Sequence, residues 1–199
     1  YEYDETTGIT TWTPADSAVT IKFKGTSVTG WSNSNTVPYS AAKTDGPNTG
    51  HESLGNYYNW TVAIASNDSS PLTTNTSGNI SNNPQNSICP KGWRLATISN
   101  QSNATPNSTN EFARLNYIYN NNKTSGDNAD AGLLAGPLWF VRSGRVTGGD
   151  LVNYDSGYYW SNTIRNADNV FALRFQANVI SPNDFFSRGY GLSLRCVAR

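Results

Sequence analysis

Gly157-Tyr158-Tyr159-Trp160-Ser161-Asn162-Thr163, Phe171-Ala172-Leu173-Arg174-Phe175 and Gly191-Leu192-Ser193-Leu194-Arg195-Cys196-Val197 place apolar side chains at regular intervals. Runs of irregular composition lie between them, among them Pro182-Asn183-Asp184-Phe185-Phe186-Ser187-Arg188. Alternation with a period of two is the mark of a strand. In the middle segment Phe171, Leu173 and Phe175 alternate with Val170, Ala172 and Arg174, so one set feeds a core and the other points away. Leu173 and Phe175 are expected inside. Which of Phe171 and Ala172 is exposed depends on register, because a slip of one residue inverts the faces. Residues 182–188 read as too polar and turn-rich for a strand. Two adjacent aromatics in a loop cannot easily both be buried, and an exposed aromatic among Asn, Asp and Arg has the composition of a binding hot spot. The alternative, that one Phe plugs the core, stays open. The reading is a frame of strands carrying a surface of runs.

Working outward, Val19-Thr20-Ile21-Lys22-Phe23-Lys24 alternates and predicts a half-buried strand. Leu54-Gly55-Asn56-Tyr57-Tyr58-Asn59-Trp60-Thr61-Val62-Ala63 is aromatic and β-branched and predicts another. Residues 66–87 are poor in apolar side chains and predict a long surface loop. Its Asn67-Asp68-Ser69 and Asn75-Thr76-Ser77 sequons are expected by chance in so Asn- and Thr-rich a chain. Pro90 and Gly92 predict a turn, after which Trp93 and Leu95 return to the core. Ser108-Thr109-Asn110-Glu111 fits a capping box. Phe112, Leu115 and Tyr119 then mark one face of a helix of roughly three turns, closed by Asn120-Asn121-Asn122. Pro137-Leu138-Trp139-Phe140-Val141 predicts a strand, and Gly144, Gly148 and Gly149 predict turns around Arg145-Val146. Many short strands, one clear helix and long loops predict an α+β domain dominated by β structure.

Composition removes several functions. Fourteen Lys and Arg balance fourteen Asp and Glu, and only 14% of residues are charged. The usual electrostatic warrant for nucleic acid or an anionic membrane is therefore missing. No apolar run approaches the roughly 20 residues of a membrane span. Methionine is absent, as expected of a processed or trimmed chain, so membrane attachment is expected only through an anchor outside this sequence. His51 is the only histidine, which denies a nucleophilic triad its usual base and offers no metal cluster. The Gly148-Gly149 pair lacks phosphate-loop and dinucleotide patterns. Asp127, Asp130, Asp150 and Asp155 lie in loops and read as solvated acids rather than paired catalysts. No catalytic residue, metal or cofactor is expected.

Cys89 and Cys196 are the only cysteines. They are either two separate buried thiols or one disulfide. The Asn-, Ser- and Thr-rich, Lys-poor surface suits a secreted protein and favours the disulfide. Closing a loop of about a hundred residues would stabilise the fold by about 4–5 kcal/mol through chain entropy.

Cys89-Pro90-Lys91-Gly92-Trp93-Arg94-Leu95, the Glu111-Phe112-x-x-Leu115 helix, Gly157-Tyr158-Tyr159-Trp160-Ser161, and Leu173-Arg174-Phe175 with Arg188-x-x-Gly191-Leu192-Ser193-Leu194-Arg195-Cys196-Val197 together resemble the Fibrobacter succinogenes major paralogous domain family. That family resembles the C-type-lectin-fold variable proteins of diversity-generating retroelements. The resemblance covers roughly residues 54–199. It implies an extension at 1–50 packed on a C-type-lectin-like domain at 51–199, with a variable region at about 157–199. In the retroelement branch, mutagenesis at template adenines rewrites codons near the C-terminus, Asn codons above all. Here the candidate ligand-binding positions are Arg165, Asn166, Asp168, Asn169, Arg174, Asn178, Asn183, Asp184, Phe185, Phe186 and Tyr190. The implied function is non-enzymatic ligand binding by a receptor or adhesin at the cell surface or outside the cell. Exposed Phe and Tyr with mixed charge favour a protein ligand over a glycan. The alternative is an undiversified structural or adhesive surface module. The Glu-Pro-Asn or Gln-Pro-Asp triplet of calcium-dependent sugar-binding lectins is missing, so calcium-dependent sugar binding is not expected. The formylglycine-generating enzymes share the lectin-like fold but need reactive cysteines, a role poorly suited to Cys196 in a core strand.

Overall fold

The computed structural model describes residues 2–7, 9–12, 21–26, 31–33, 39–42, 56–64, 87–90, 92–99, 105 and 108–198. His51, both sequons, Val19, Leu54 and most of the 66–87 loop lie outside the described residues. The architecture is α+β, with short helices and small, mostly antiparallel sheets.

The frame is a three-stranded antiparallel sheet of β9 (Gly157–Ile164), β10 (Asn169–Gln176) and β11 (Val179–Ser187), with β10 in the middle. It carries a core on each face. Val170 and Ala172 of β10 pack with Tyr158, Trp160, Ile164, Phe186 and Leu192. Phe171, Leu173 and Phe175 pack with Phe112, Leu133, Phe140 and Tyr159. Leu173 and Phe175 are buried as expected, and the register question at Phe171 and Ala172 dissolves because both are buried. Phe140 holds the second core together, meeting Tyr159 edge-on at 4.7 Å and Phe175 at 6.0 Å between centroids. Such pairs add about 0.5–1.5 kcal/mol each beyond the area they bury.

Strand β11 corrects the reading of residues 182–188 as a loop. Asn169 to Ala172 pair in register with Ser187 to Asp184, and the ladder resumes at Arg174 opposite Ser181 after an irregularity. Polar side chains tolerate this edge strand because its backbone finds partners outside the sheet. Pro182, which has no N–H to offer, accepts at its carbonyl from Asn110 Nδ2 at 3.2 Å.

The stretch 191–193 joins three regions by backbone pairing. Leu192 exchanges hydrogen bonds of 3.0 and 3.1 Å with Tyr58 of β5 (Asn56–Tyr58). Gly191 exchanges two of 2.9 Å with Val146 of β7 (Arg145–Thr147). Ser193 accepts from Trp160 N–H and donates to the Tyr158 carbonyl, both at 3.0 Å. β5 closes a five-stranded sheet whose other members are β1 (Glu2–Asp4), β2 (Ile9–Trp12), β3 (Ile21–Thr26) and β4 (Tyr39–Ala42), with β3 and β4 parallel. The N-terminal strands thus share a sheet with β5. Trp31 adds a second contact, donating from Nε1 to the Gly189 carbonyl at 2.8 Å and lying so close to Gly191 that a Cβ there would meet its ring at 2.9 Å.

Cys89 and Cys196 form a disulfide across 107 residues, beside the pairing of β6 (Trp93–Leu95) with β12 (Cys196–Ala198). Leu95 enters the core, but Trp93 is 46% exposed and does not. The Gly148-Gly149 turn, both residues at positive φ, joins β7 to β8 (Asp150–Val152) as a two-residue hairpin.

Three further expectations are corrected. Trp60–Ala63 is a turn of helix, α1, rather than strand, because Asn59 caps it by accepting from Val62 N–H. The helix α2 (Glu111–Asn120) is capped by Asn110, not Ser108, and Glu111 does not reach back. Its carboxylate instead accepts from Thr97 N–H at 2.7 Å and from both Nη groups of Arg94. Its buried face holds Phe112, Ala113, Asn116 and Asn120, while Tyr119 is exposed. Asn120 is buried because it bridges elements: it donates to the Ala129 carbonyl at 2.7 Å and accepts from Gly132 N–H of α3 (Ala131–Leu134) at 2.9 Å. Finally, residues 137–141 form no strand. Leu138 and Phe140 turn inward while Trp139, at φ 48°, is 69% exposed.

Candidate binding surface

The runs flanking β10 meet at one end of the sheet. The 165–168 turn is built on Asn166, whose Oδ1 accepts from the backbone N–H of Asp168 and Asn169 at 3.0 and 2.9 Å. Asn and Asp stabilise turns by this kind of local side-chain bond. Strand β11 arrives beside the turn because Asn169 pairs with Ser187. Arg188 then clasps the two: its backbone N–H donates to the Asp168 carbonyl and its Nη2 to the Asn166 carbonyl, each at 3.0 Å. Arg188 is 1% exposed, stacks over Trp60 at 5.0 Å, and accepts at its own carbonyl from Trp60 N–H. Burial lowers its pKa from the usual arginine range, and the charge of Asp168 works against that.

Above this clasp, Arg165, Asn166 and Asp168 are exposed, and Phe185 is 40% exposed with the Arg165 guanidinium 3.3 Å from its ring centroid. A cation over an exposed ring contributes about 0.5–1 kcal/mol. Asn169 and Asn183 are half-buried at the margin. Arg165 and Phe185 meet directly, and Asn166, Asp168 and Asn169 share the turn that follows Arg165.

Other expected positions lie elsewhere. Phe186 is 8% exposed, facing the first core, where it meets Tyr158 edge-on at 5.2 Å. The open alternative, one Phe inside and one out, is therefore what the strand produces. Asp184 pairs with Ala172 and so lies on the opposite face from Phe185, where its Oδ2 accepts from Arg174 Nε at 2.6 Å. Asn178 is exposed in the hairpin between β10 and β11, the far end of the sheet, about 20 Å away at roughly 3.3 Å per residue. Tyr190 is half-buried against the first core.

Two charged residues outside the expected set have notable surroundings. Asp130, read as a solvated acid, is 1% exposed and makes a two-pronged ion pair with Arg142, at 2.8 Å on each oxygen. Arg145, on β7, lies among Tyr158, Phe186 and Tyr190. Its only signal in the sequence is a position between turn glycines, which does not reveal its neighbours. Among the described residues no three His, Cys, Asp or Glu side chains group as a metal site, and no helix is long and apolar enough to cross a membrane.

No protein-family model matches the chain, and neither a curated protein nor a solved structure matches it.

Proposed function

We propose that this is a non-enzymatic ligand-binding protein of the cell exterior, built on a C-type-lectin-like frame and diversified at the patch formed by Arg165, Asn166, Asp168 and Phe185. The observation that carries the reading is the division of labour between neighbours. The apolar strand residues face two cores, while these four side chains project from a turn and an edge strand clasped by Arg188. The Cys89–Cys196 disulfide is consistent with an oxidising, extracellular setting. An exposed aromatic stacked on a cation, beside Asn and Asp, has the composition of protein-recognising surfaces and favours a protein ligand.

The test is a displayed library randomised at 165, 166, 168 and 185. Most members should keep a melting temperature close to the parent, and selection on different protein targets should return different sequences. A library that largely fails to fold would place these positions in the frame and end the proposal. Diversification by a retroelement makes a separate demand. The gene should lie near a reverse transcriptase and a near-copy of its 3′ segment differing only at adenines. Without that copy, the undiversified adhesive module is the better reading.

A further inference from the structure

Arginine is costly to bury without partners, and the other half-buried or buried arginines described have them. Arg94, Arg142 and Arg174 each hold a carboxylate at 2.6–2.8 Å. Arg188 and Arg195 donate to backbone carbonyls. Arg145 differs. It is half-buried and, among the described residues, its side chain forms no ion pair and no hydrogen bond to a carbonyl; its Nε, though not the sole arginine Nε so placed, is buried without a hydrogen-bond partner. A guanidinium offers five N–H donors in one plane and cannot shed its charge.

What Arg145 has instead is a collar. Its central carbon lies 5.3 Å from the Tyr158 ring centroid, 5.0 Å from Phe186 and 5.1 Å from Tyr190. The collar is rigid. Tyr158 and Phe186 are locked edge to face, and the Tyr158 hydroxyl accepts from Asn153 Nδ2 at 3.1 Å. Tyr190 sits in a turn closed by its N–H on the Ser187 carbonyl. Arg145 itself is anchored through the backbone pairing of Val146 with Gly191. Rings stabilise the charge and dry its surroundings, but they accept none of its in-plane hydrogen bonds. A preoriented, partly dried guanidinium whose Nη groups make no hydrogen bond among the described residues suits a planar, two-oxygen anion.

We propose that Arg145 receives a carboxylate of the protein ligand, an Asp or Glu side chain or a C-terminus, at a site whose collar includes Phe186 and Tyr190. The assignment of the carboxylate to a protein rests on the binding-surface reading above; the anion site itself rests on Arg145 and its collar alone.

The experiment follows the Arg145 Nε–Hε resonance of the full chain by NMR, assigned by its loss in R145M. Sodium acetate and a capped tri-glutamate peptide are titrated against sodium chloride of equal ionic strength. A saturable shift with both carboxylates, absent with chloride, is expected. R145K keeps the charge but loses the flat two-pronged fork. It should weaken peptide association by about tenfold, as for one charge-assisted hydrogen bond, measured by calorimetry. Wild-type protein showing no shift beyond that of chloride overturns the proposal, whether or not R145M folds. So does peptide binding that R145M and R145K leave intact, or a site that takes inorganic phosphate and neither carboxylate. Ile118→Ala, exposed on α2 and outside both the patch and the collar, should leave acetate binding unchanged. If library selection fails while acetate still titrates Arg145, the patch reading falls and the anion site stands.

Discussion

Phe185 and Phe186 are chemically identical neighbours, so replacing each with alanine isolates the effect of position. Phe186 is 8% exposed, packs edge-on against Tyr158 and lies 5.0 Å from the Arg145 guanidinium. Truncating a buried Phe costs about 3–5 kcal/mol, counting transfer and cavity. Phe185 is 40% exposed, and its main specific contact is the Arg165 guanidinium. Its truncation forgoes about 0.5–1 kcal/mol of cation–π attraction and roughly half of the 1.5–3 kcal/mol that full burial would yield. The two variants should therefore differ by about 2 kcal/mol, the larger loss at Phe186. Urea unfolding followed by tryptophan fluorescence reads this directly. Both variants should keep the parent slope, and the Phe186→Ala midpoint should lie clearly below that of Phe185→Ala. Equal midpoints, or a lower one for Phe185→Ala, would mean that β11 presents its faces the other way round. The separation of frame from surface would then fail.

Reducing the Cys89–Cys196 bond, which spans 107 residues, should lower unfolding free energy by about 4–5 kcal/mol in denaturant titrations with and without reductant. Arg142→Ala leaves the 1%-exposed Asp130 carboxylate without its charge partner and should cost near the low end of about 3–5 kcal/mol, because the guanidinium is itself 30% exposed. Asp130→Asn together with Arg142→Met should recover most of that loss, since the buried charge goes too. Glu111 tests pH dependence. Burial raises its pKa, but hydrogen bonds from Arg94 and Thr97 N–H and the charges of Arg94 and Arg114 outweigh this, so the folded value lies below the usual 4.5. The folded state therefore holds fewer protons there than the unfolded chain. Its stabilising contribution is complete above pH 4.5 and is lost as pH falls through the lowered folded value. Glu111→Gln should flatten that acid limb in melting curves taken between pH 6 and pH 3, roughly the span of ordinary and lowered carboxylate values.

The parts of the fold legible in the sequence are those where side-chain chemistry repeats the geometry. Leu173 and Phe175 announce a buried strand face, and the Asn120-Asn121-Asn122 run announces a helix end, realised with Asn121 in the left-handed region. Several of the differences come from a polar residue whose partner is distant in sequence. Asn110 caps α2 and also reaches Pro182, and Asp130 is buried against Arg142. Residues 182–188 look like a loop because the partners that satisfy β11 lie on α2 and the 165–168 turn. The register puzzle at Phe171 and Ala172 arose from assuming one core. A strand with a core on either side has no solvent face for the alternation to reveal. At the candidate site, the patch residues were legible from composition. Arg145 was not, since it becomes notable only through Tyr158, Phe186 and Tyr190.

A variable surface needs a scaffold that does not consult the varying side chains, and the hydrogen bonds around the patch largely meet that condition. The 191–193 stretch is tied to β5, β7 and β9 through backbone hydrogen bonds. Arg188 holds the 165–168 turn through the carbonyls of Asn166 and Asp168, which any residue at those positions would supply. Arg165 and Phe185 pack on each other, so they can change together. Asn166 is the exception, because its side-chain oxygen accepts the two backbone N–H groups that close the turn. Of the four patch positions it should tolerate the fewest replacements, with Asp and Ser favoured for the same local bonding. A selected library in which 166 varies as freely as 165 would show that the Arg188 clasp alone shapes the turn.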